Sequence, residues 1–121
     1  MAGEARVRLA RGEDTLVGID VAYLSPELVA ETARDALLVD GPPLLAVEVL
    51  SPSDLGRNVA IKIRTYLAAG VRRVWIVDPD LNTVTVHRPD GGPVLYNDSQ
   101  TLQDDPELPG LVIPILGIFE P

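Results

Sequence analysis

The chain has 121 residues, 46% of them hydrophobic, with 18 Asp and Glu against 10 Lys and Arg, a formal net charge of -8 at pH 7 and no cysteine. That length supports one domain with a real core and is too short for two of ordinary size, while the lack of cysteine excludes disulfides and thiolate zinc sites and suits a reducing cytosol. The acidic balance argues against coating of nucleic acid by bulk attraction, which depends on Lys and Arg neutralising phosphates.

The opening stretch "MAGEARVRLARGEDT" has no apolar core of the signal-peptide kind, and no run approaches the roughly 20 apolar residues of a spanning helix. The expectation is a soluble, cytoplasmic protein with no membrane segment. "TLVGIDVAYLS", from Thr15, mixes β-branched and apolar residues and predicts a strand ending at Ser25-Pro26. "PELVAETARDALL" has helical character with Ser25 as a plausible N-cap, and Gly41-Pro42-Pro43 breaks the chain after it. "LLAVEVL" (44–50) is apolar at alternate and intervening positions alike, so both of its faces should be covered, inside a sheet.

"SPSD" then supplies helix-start chemistry with Ser53 or Asp54 as N-cap. "LGRNVAIKIRTYLAA" follows with Leu55, Val59, Ile63, Tyr66 and Leu67 at helical spacing, closed by Gly70 at the C′ position. "RRVWIVD" predicts a second strong strand, turning through "DPDLN" into "TVTVHRP" as a hairpin. Past "DGG" the signal fades, and the proline-broken apolar tail "DDPELPGLVIPILGIFE" is expected to pack on the body as short strand or loop. Strands alternating with helical segments make this an α/β (α+β) pattern with a mixed sheet, a single domain over 1–121 with no repeat or linker.

Polar residues that violate the apolar pattern carry the chemistry. Side chains alternate along a strand, so Leu44, Ala46, Glu48 and Leu50 share one face, and Gly18, Asp20, Ala22 and Leu24 another. If those strands are neighbours, Asp20 and Glu48 converge, and two close carboxylates do not both stay ionised without a cation. A magnesium or manganese ion would resolve this, since such ions accept one or two carboxylates, a carbonyl and waters. At about 100° per helical residue, Lys62 falls beside the apolar stripe, with Tyr66 its neighbour one turn on. A structural Glu48–Lys62 salt bridge, with Asp20 satisfied by backbone amides, fits the same spacing. Spacing alone leaves both open.

The stretches "GIDVAYLS", "PPLLAVEVLSPSD", "RNVAIKIRTYLAAGVRRVWIVDP" and "LPGLVIPILGIFE" resemble, in order over residues 17 to 120, the Uma family of restriction endonucleases in the PD-(D/E)XK nuclease superfamily. The resemblance implies a restriction endonuclease-like mixed central sheet with flanking helices and an abbreviated N-terminal part. It implies a metal-dependent hydrolase cutting DNA phosphodiesters, with Asp20 and Glu48 as catalytic metal ligands, the Val49 carbonyl as a further ligand and Mg or Mn as cofactor. The superfamily lysine usually follows the second acid by two residues, where this chain has Leu50, so its role passes to Lys62 with Tyr66 as support. Ile19 stands where the family pattern has proline. The exposed sheet face that a short N-terminal part would leave favours a homodimer or domain swapping. The alternative is a catalytically inactive oligomerisation or binding module that keeps the nuclease fold.

Other polar residues have simpler explanations. His87, the only histidine, is expected on the solvated face of a hairpin strand with Thr83 and Thr85. Asp78-Pro-Asp80 reads as turn chemistry and Trp75 as core. Ser51 and Ser53 have no histidine at a spacing that would make a nucleophile. Between Leu55 and Val77 there is no acid, while Arg57, Lys62, Arg64, Arg72 and Arg73 fall there. They form either a local positive surface or scattered solvated charges.

Overall fold

A segment that is apolar on both faces has to be covered on both, and Leu45–Val49 (β5) occupies such a place, second in a sheet of five strands. The computed structural model describes residues 41–54 and 56–120 with their side chains. Before them it describes the backbone of β1 (Ala5–Arg8), β2 (Leu16–Ile19), β3 (Val21–Tyr23) and β4 (Val39–Asp40). The segment 26–38, expected to have helical character, lies outside the described residues.

After β5 come helix α1 (Gly56–Ala68) and the strands β6 (Arg73–Asp78), β7 (Thr83–Arg88) and β8 (Gly91–Tyr96). The short strands β9 (Thr101–Leu102) and β10 (Ile113–Pro114) and the short helix α2 (Ile115–Phe119) complete the chain. The main sheet runs β3-β5-β6-β7-β8. Its β5–β6 pair is parallel, with Glu48 opposite Ile76, and the other three pairs are antiparallel. A parallel neighbour requires a crossover, and α1 is that crossover. A second sheet orders β2-β1-β4, and β9 pairs with β10.

The single strand expected over "TLVGIDVAYLS" is divided: β2 belongs to the three-stranded sheet and β3 to the five-stranded one, with residue 20 between them outside the described residues. Period-2 alternation cannot detect a strand that changes sheets, because both halves keep the same apolar pattern. The expected β6–β7 hairpin is present. Asp78 Oδ1 accepts from the amides of Asp80 and Leu81 at 3.0 and 3.3 Å, and Asn82 closes the turn in the left-handed region with φ 54. Sequence reading missed β8, because Gly91-Gly92-Pro93 looks like a loop. Pairing with β7 on one side makes a strand of it at the sheet edge, where proline is tolerated.

Each sheet face has its own cover. Ala46, Val74 and Ile76 pack with Tyr66 and Val71, and with Val59, Ile63 and Leu67 from the inner side of α1. On the opposite face Leu45, Val47, Trp75, Val77, Val84 and Val86 meet Leu102, Leu108 and Ile115 from the C-terminal segment. The apolar tail therefore packs on the body, as its composition predicts. Arg73, buried on β6, donates from Nε to Asp105 Oδ2 at 2.7 Å and from Nη1 to the Arg72 carbonyl at 2.8 Å. That ion pair pins the C-terminal segment to the sheet. Arg72 reaches Glu107 at 3.1 Å in a far more exposed pair.

Asp105→Ala would strand a buried guanidinium, and urea denaturation should show a loss of about 3 kcal/mol or more. Glu107→Ala, at the exposed pair, should cost under about 1 kcal/mol.

Candidate active site

Glu48 sits on β5 with 6% of its surface exposed, on the face that α1 covers. A carboxylate so placed needs partners, and α1 supplies them. The helix ends in a turn where Gly70, at φ 106, lets its own amide reach the Leu67 carbonyl and the Val71 amide reach the Tyr66 carbonyl, at 3.2 and 3.1 Å. This Schellman arrangement, with apolar contact between Tyr66 and Val71, seats Tyr66 against the sheet, 1% exposed. Its hydroxyl donates to Glu48 Oε1 at 2.5 Å. One turn earlier, Lys62 places Nζ 3.8 Å from Glu48 Oε2, with 46% of its side chain exposed. Glu48, Lys62 and Tyr66 thus converge.

A small open cleft beside this cluster is lined by Glu48, Val49, Leu50, Asp54, Val59, Lys62 and Ile76. Val49 belongs to its wall at the C-terminal end of β5 and is 44% exposed. Asp20, the other expected acid, lies outside the described residues; Val21, next in sequence, pairs with Val47 on β5. Among the described residues no group of three His, Cys, Asp or Glu is arranged to hold a metal ion. Glu48 and the end of β5 suit a hard cation that takes one or two carboxylates, a carbonyl and waters.

Asp54 is the residue of the cleft that sequence reading assigned only to a helix cap. The helix starts at Gly56, and the Asp54 carboxylate turns back instead. Its Oδ2 accepts from the Ser51 amide at 2.7 Å and from the Ser51 hydroxyl at 3.0 Å, while the Asp54 amide donates to the Ser51 carbonyl at 3.0 Å. The Ser51 amide and then its hydroxyl hold the Asp54 carboxyl below its ordinary value, with the Lys62 charge acting the same way and partial desolvation opposing. The Ser-x-x-Asp spacing was the available signal: a carboxylate three residues on reaches back to the serine amide.

The remaining candidates sort as expected, except for His87, which is less solvated than its pattern suggested. Trp75 is core, with a buried Nε1 that has no hydrogen-bond partner among the described residues. His87 is half-buried, and desolvation holds its pKa below the ordinary value. Ser51 and Ser53 bond to one another and to Asp54. The positive surface does not form as one patch, because Lys62 faces Glu48, Arg72 pairs with Glu107 and Arg73 with Asp105. Arg57 and Arg64 are exposed and lie about 140° and 160° around the helix from Lys62.

The mixed five-stranded sheet with its crossover helix has a nuclease-like, restriction endonuclease-like fold. A crystal structure of a "putative nuclease belonging to DUF820" from Anabaena variabilis ATCC 29413 matches with a TM-score of 0.78 at 22% identity, covering 96% of this chain and 65% of that one. The chain therefore spans about 65% of that protein's length. Residues 1–117 match the Uma2 family, described as "Putative restriction endonuclease", and the chain belongs to that family. No curated protein matches it in sequence. No described helix is long and apolar enough to cross a membrane.

Tyr66→Phe removes a buried hydrogen bond to a carboxylate and should destabilise the protein by about 1.5–3 kcal/mol in urea denaturation. Because the Asp54 pKa is depressed in the fold, its contribution to stability is present above the ordinary value of 3.8 and is lost as pH falls through the folded value. Ser51→Ala should move the Asp54 titration upward, toward 3.8, in carboxyl-carbon NMR.

Proposed function

We propose that the protein is a metal-dependent DNA endonuclease whose catalytic residues are Asp20, Glu48, Lys62 and Tyr66. The single observation that supports this most is a buried carboxylate at the end of a central strand, flanked by an ammonium and a phenol and open to solvent through a cleft. Family membership gives that cluster its chemical meaning. Glu48 and Asp20, with the Val49 carbonyl, would hold a magnesium or manganese ion, which supplies Lewis-acid stabilisation of charge developing on a phosphodiester. Tyr66 fixes the rotamer of Glu48 through its hydrogen bond. Lys62, half in solvent, orients the attacking water and offers a positive charge to the phosphate.

The reading extends to a single domain, a cytoplasmic location and a homodimer, since cutting both strands of a duplex at one site takes two active centres. Exposed Val112, Leu116 and Ile118 offer apolar surface for a second copy. A non-catalytic binding module is the second reading, favoured by one observation: Tyr66 and Lys62 already answer both Glu48 oxygens without any added cation.

Supercoiled plasmid with Mg²⁺ or Mn²⁺ should be nicked or linearised by the wild-type protein. Glu48→Ala and Lys62→Ala should each lose at least about 100-fold in rate, the scale at which one positioned electrostatic group acts. Cleavage equal in all three would refute the site, and no cleavage by any would favour the binding module.

A further inference from the structure

Lys62 is the only lysine in the chain, whose other nine basic residues are arginine. Its ammonium, 3.8 Å from Glu48 Oε2, is beyond hydrogen-bonding reach of that oxygen and nearly half exposed. A flexible lysine held at that range by one buried carboxylate, with its own end nearly half in solvent, would either close on it or leave for water. A second anion lines the same cleft. Asp54 faces it from the β5–α1 turn, with Oδ2 clamped by the Ser51 amide and hydroxyl. Among the described residues no donor reaches Oδ1. The Lys62 charge also acts on the Asp54 carboxyl.

We propose that Asp54 is a positioning residue of this site, its clamped carboxylate drawing the Lys62 ammonium across the mouth of the cleft and keeping it from closing on Glu48. The inference deepens the nuclease reading where metal is concerned, because a lysine bonded to Glu48 competes with a cation for the same oxygen. Its geometric part stands without that reading. Asp54 differs from the acids expected to hold metal: it works through Lys62.

Asp54→Asn tests this while keeping a carbonyl acceptor for Ser51, so the turn survives. In a crystal structure of the metal-free variant, Lys62 Nζ should move to within hydrogen-bonding distance of Glu48. The Lys62 ε-methylene, unique in the spectrum of ¹³C-lysine-labelled protein, should shift with it. An unmoved lysine by both measures would overturn the proposal. Mn²⁺ titration then separates the roles. Asp54→Asn should weaken binding about tenfold, as expected for losing one charged group of a site, and Asp54→Glu should recover most of it. In a Lys62→Met background Asp54→Asn should change binding less than about twofold, since the competitor is gone. A loss as large in that background would make Asp54 itself a metal ligand and overturn the positioning role. If the wild-type protein neither binds Mn²⁺ nor cleaves DNA, the nuclease reading fails, while the metal-free lysine position still decides this one.

Discussion

A buried carboxylate near the C-terminal end of an apolar strand is the constraint around which this protein is organised. Glu48 leaves water on folding, and an unmatched charge there would cost several kcal/mol. The phenol of Tyr66 and the ammonium of Lys62 answer it from two successive turns of one helix, so α1 has to lie along that face of β5 at one rotation and one height. The parallel β5–β6 pair fixes the face, because the crossover that joins parallel strands must pass over one side of the sheet. The Schellman turn at Gly70 fixes the height, since it ties Tyr66 to Val71 and returns the chain directly into β6.

The same turn of helix therefore serves packing and chemistry. Val59, Ile63 and Leu67 bury the helix against Ala46, Val74 and Ile76, and that burial sets where the polar edge of the helix falls. Lys62 stands on that edge, with its stem along apolar surface and its charge at the cleft. The opposite sheet face carries none of this. It is closed by the C-terminal segment, which the Arg73–Asp105 pair holds in place through a guanidinium taken out of water.

Where sequence and structure part company, the cause is local ambiguity. Asp54 looked like a forward helix cap, yet its carboxylate bonds back to Ser51, because both uses need the same short acidic side chain at the same boundary. The run around Asp20 looked like one strand, but its halves pair in different sheets. Five basic residues in an acid-free stretch left a positive patch and scattered charges both open, and partners from residues 105 and 107, which neutralise two of them, decide for the scattered charges. No local pattern reports a partner that arrives from thirty residues away.

By itself the sequence determined that β5 would be covered on both faces, that Glu48 would share its face with Ala46, and that Lys62 and Tyr66 would lie on one side of a helix ended by Gly70. These follow from the periods of strand and helix and from the few residues that can stop a helix. Only the tertiary structure decided that this side of the helix meets that face of the strand, that Asp54 joins the same cleft, and that the far arginines are left outside it. Those outcomes depend on strand order, helix rotation and long-range charge pairing. Such quantities are set by the packing of the whole core, which no short window of sequence contains.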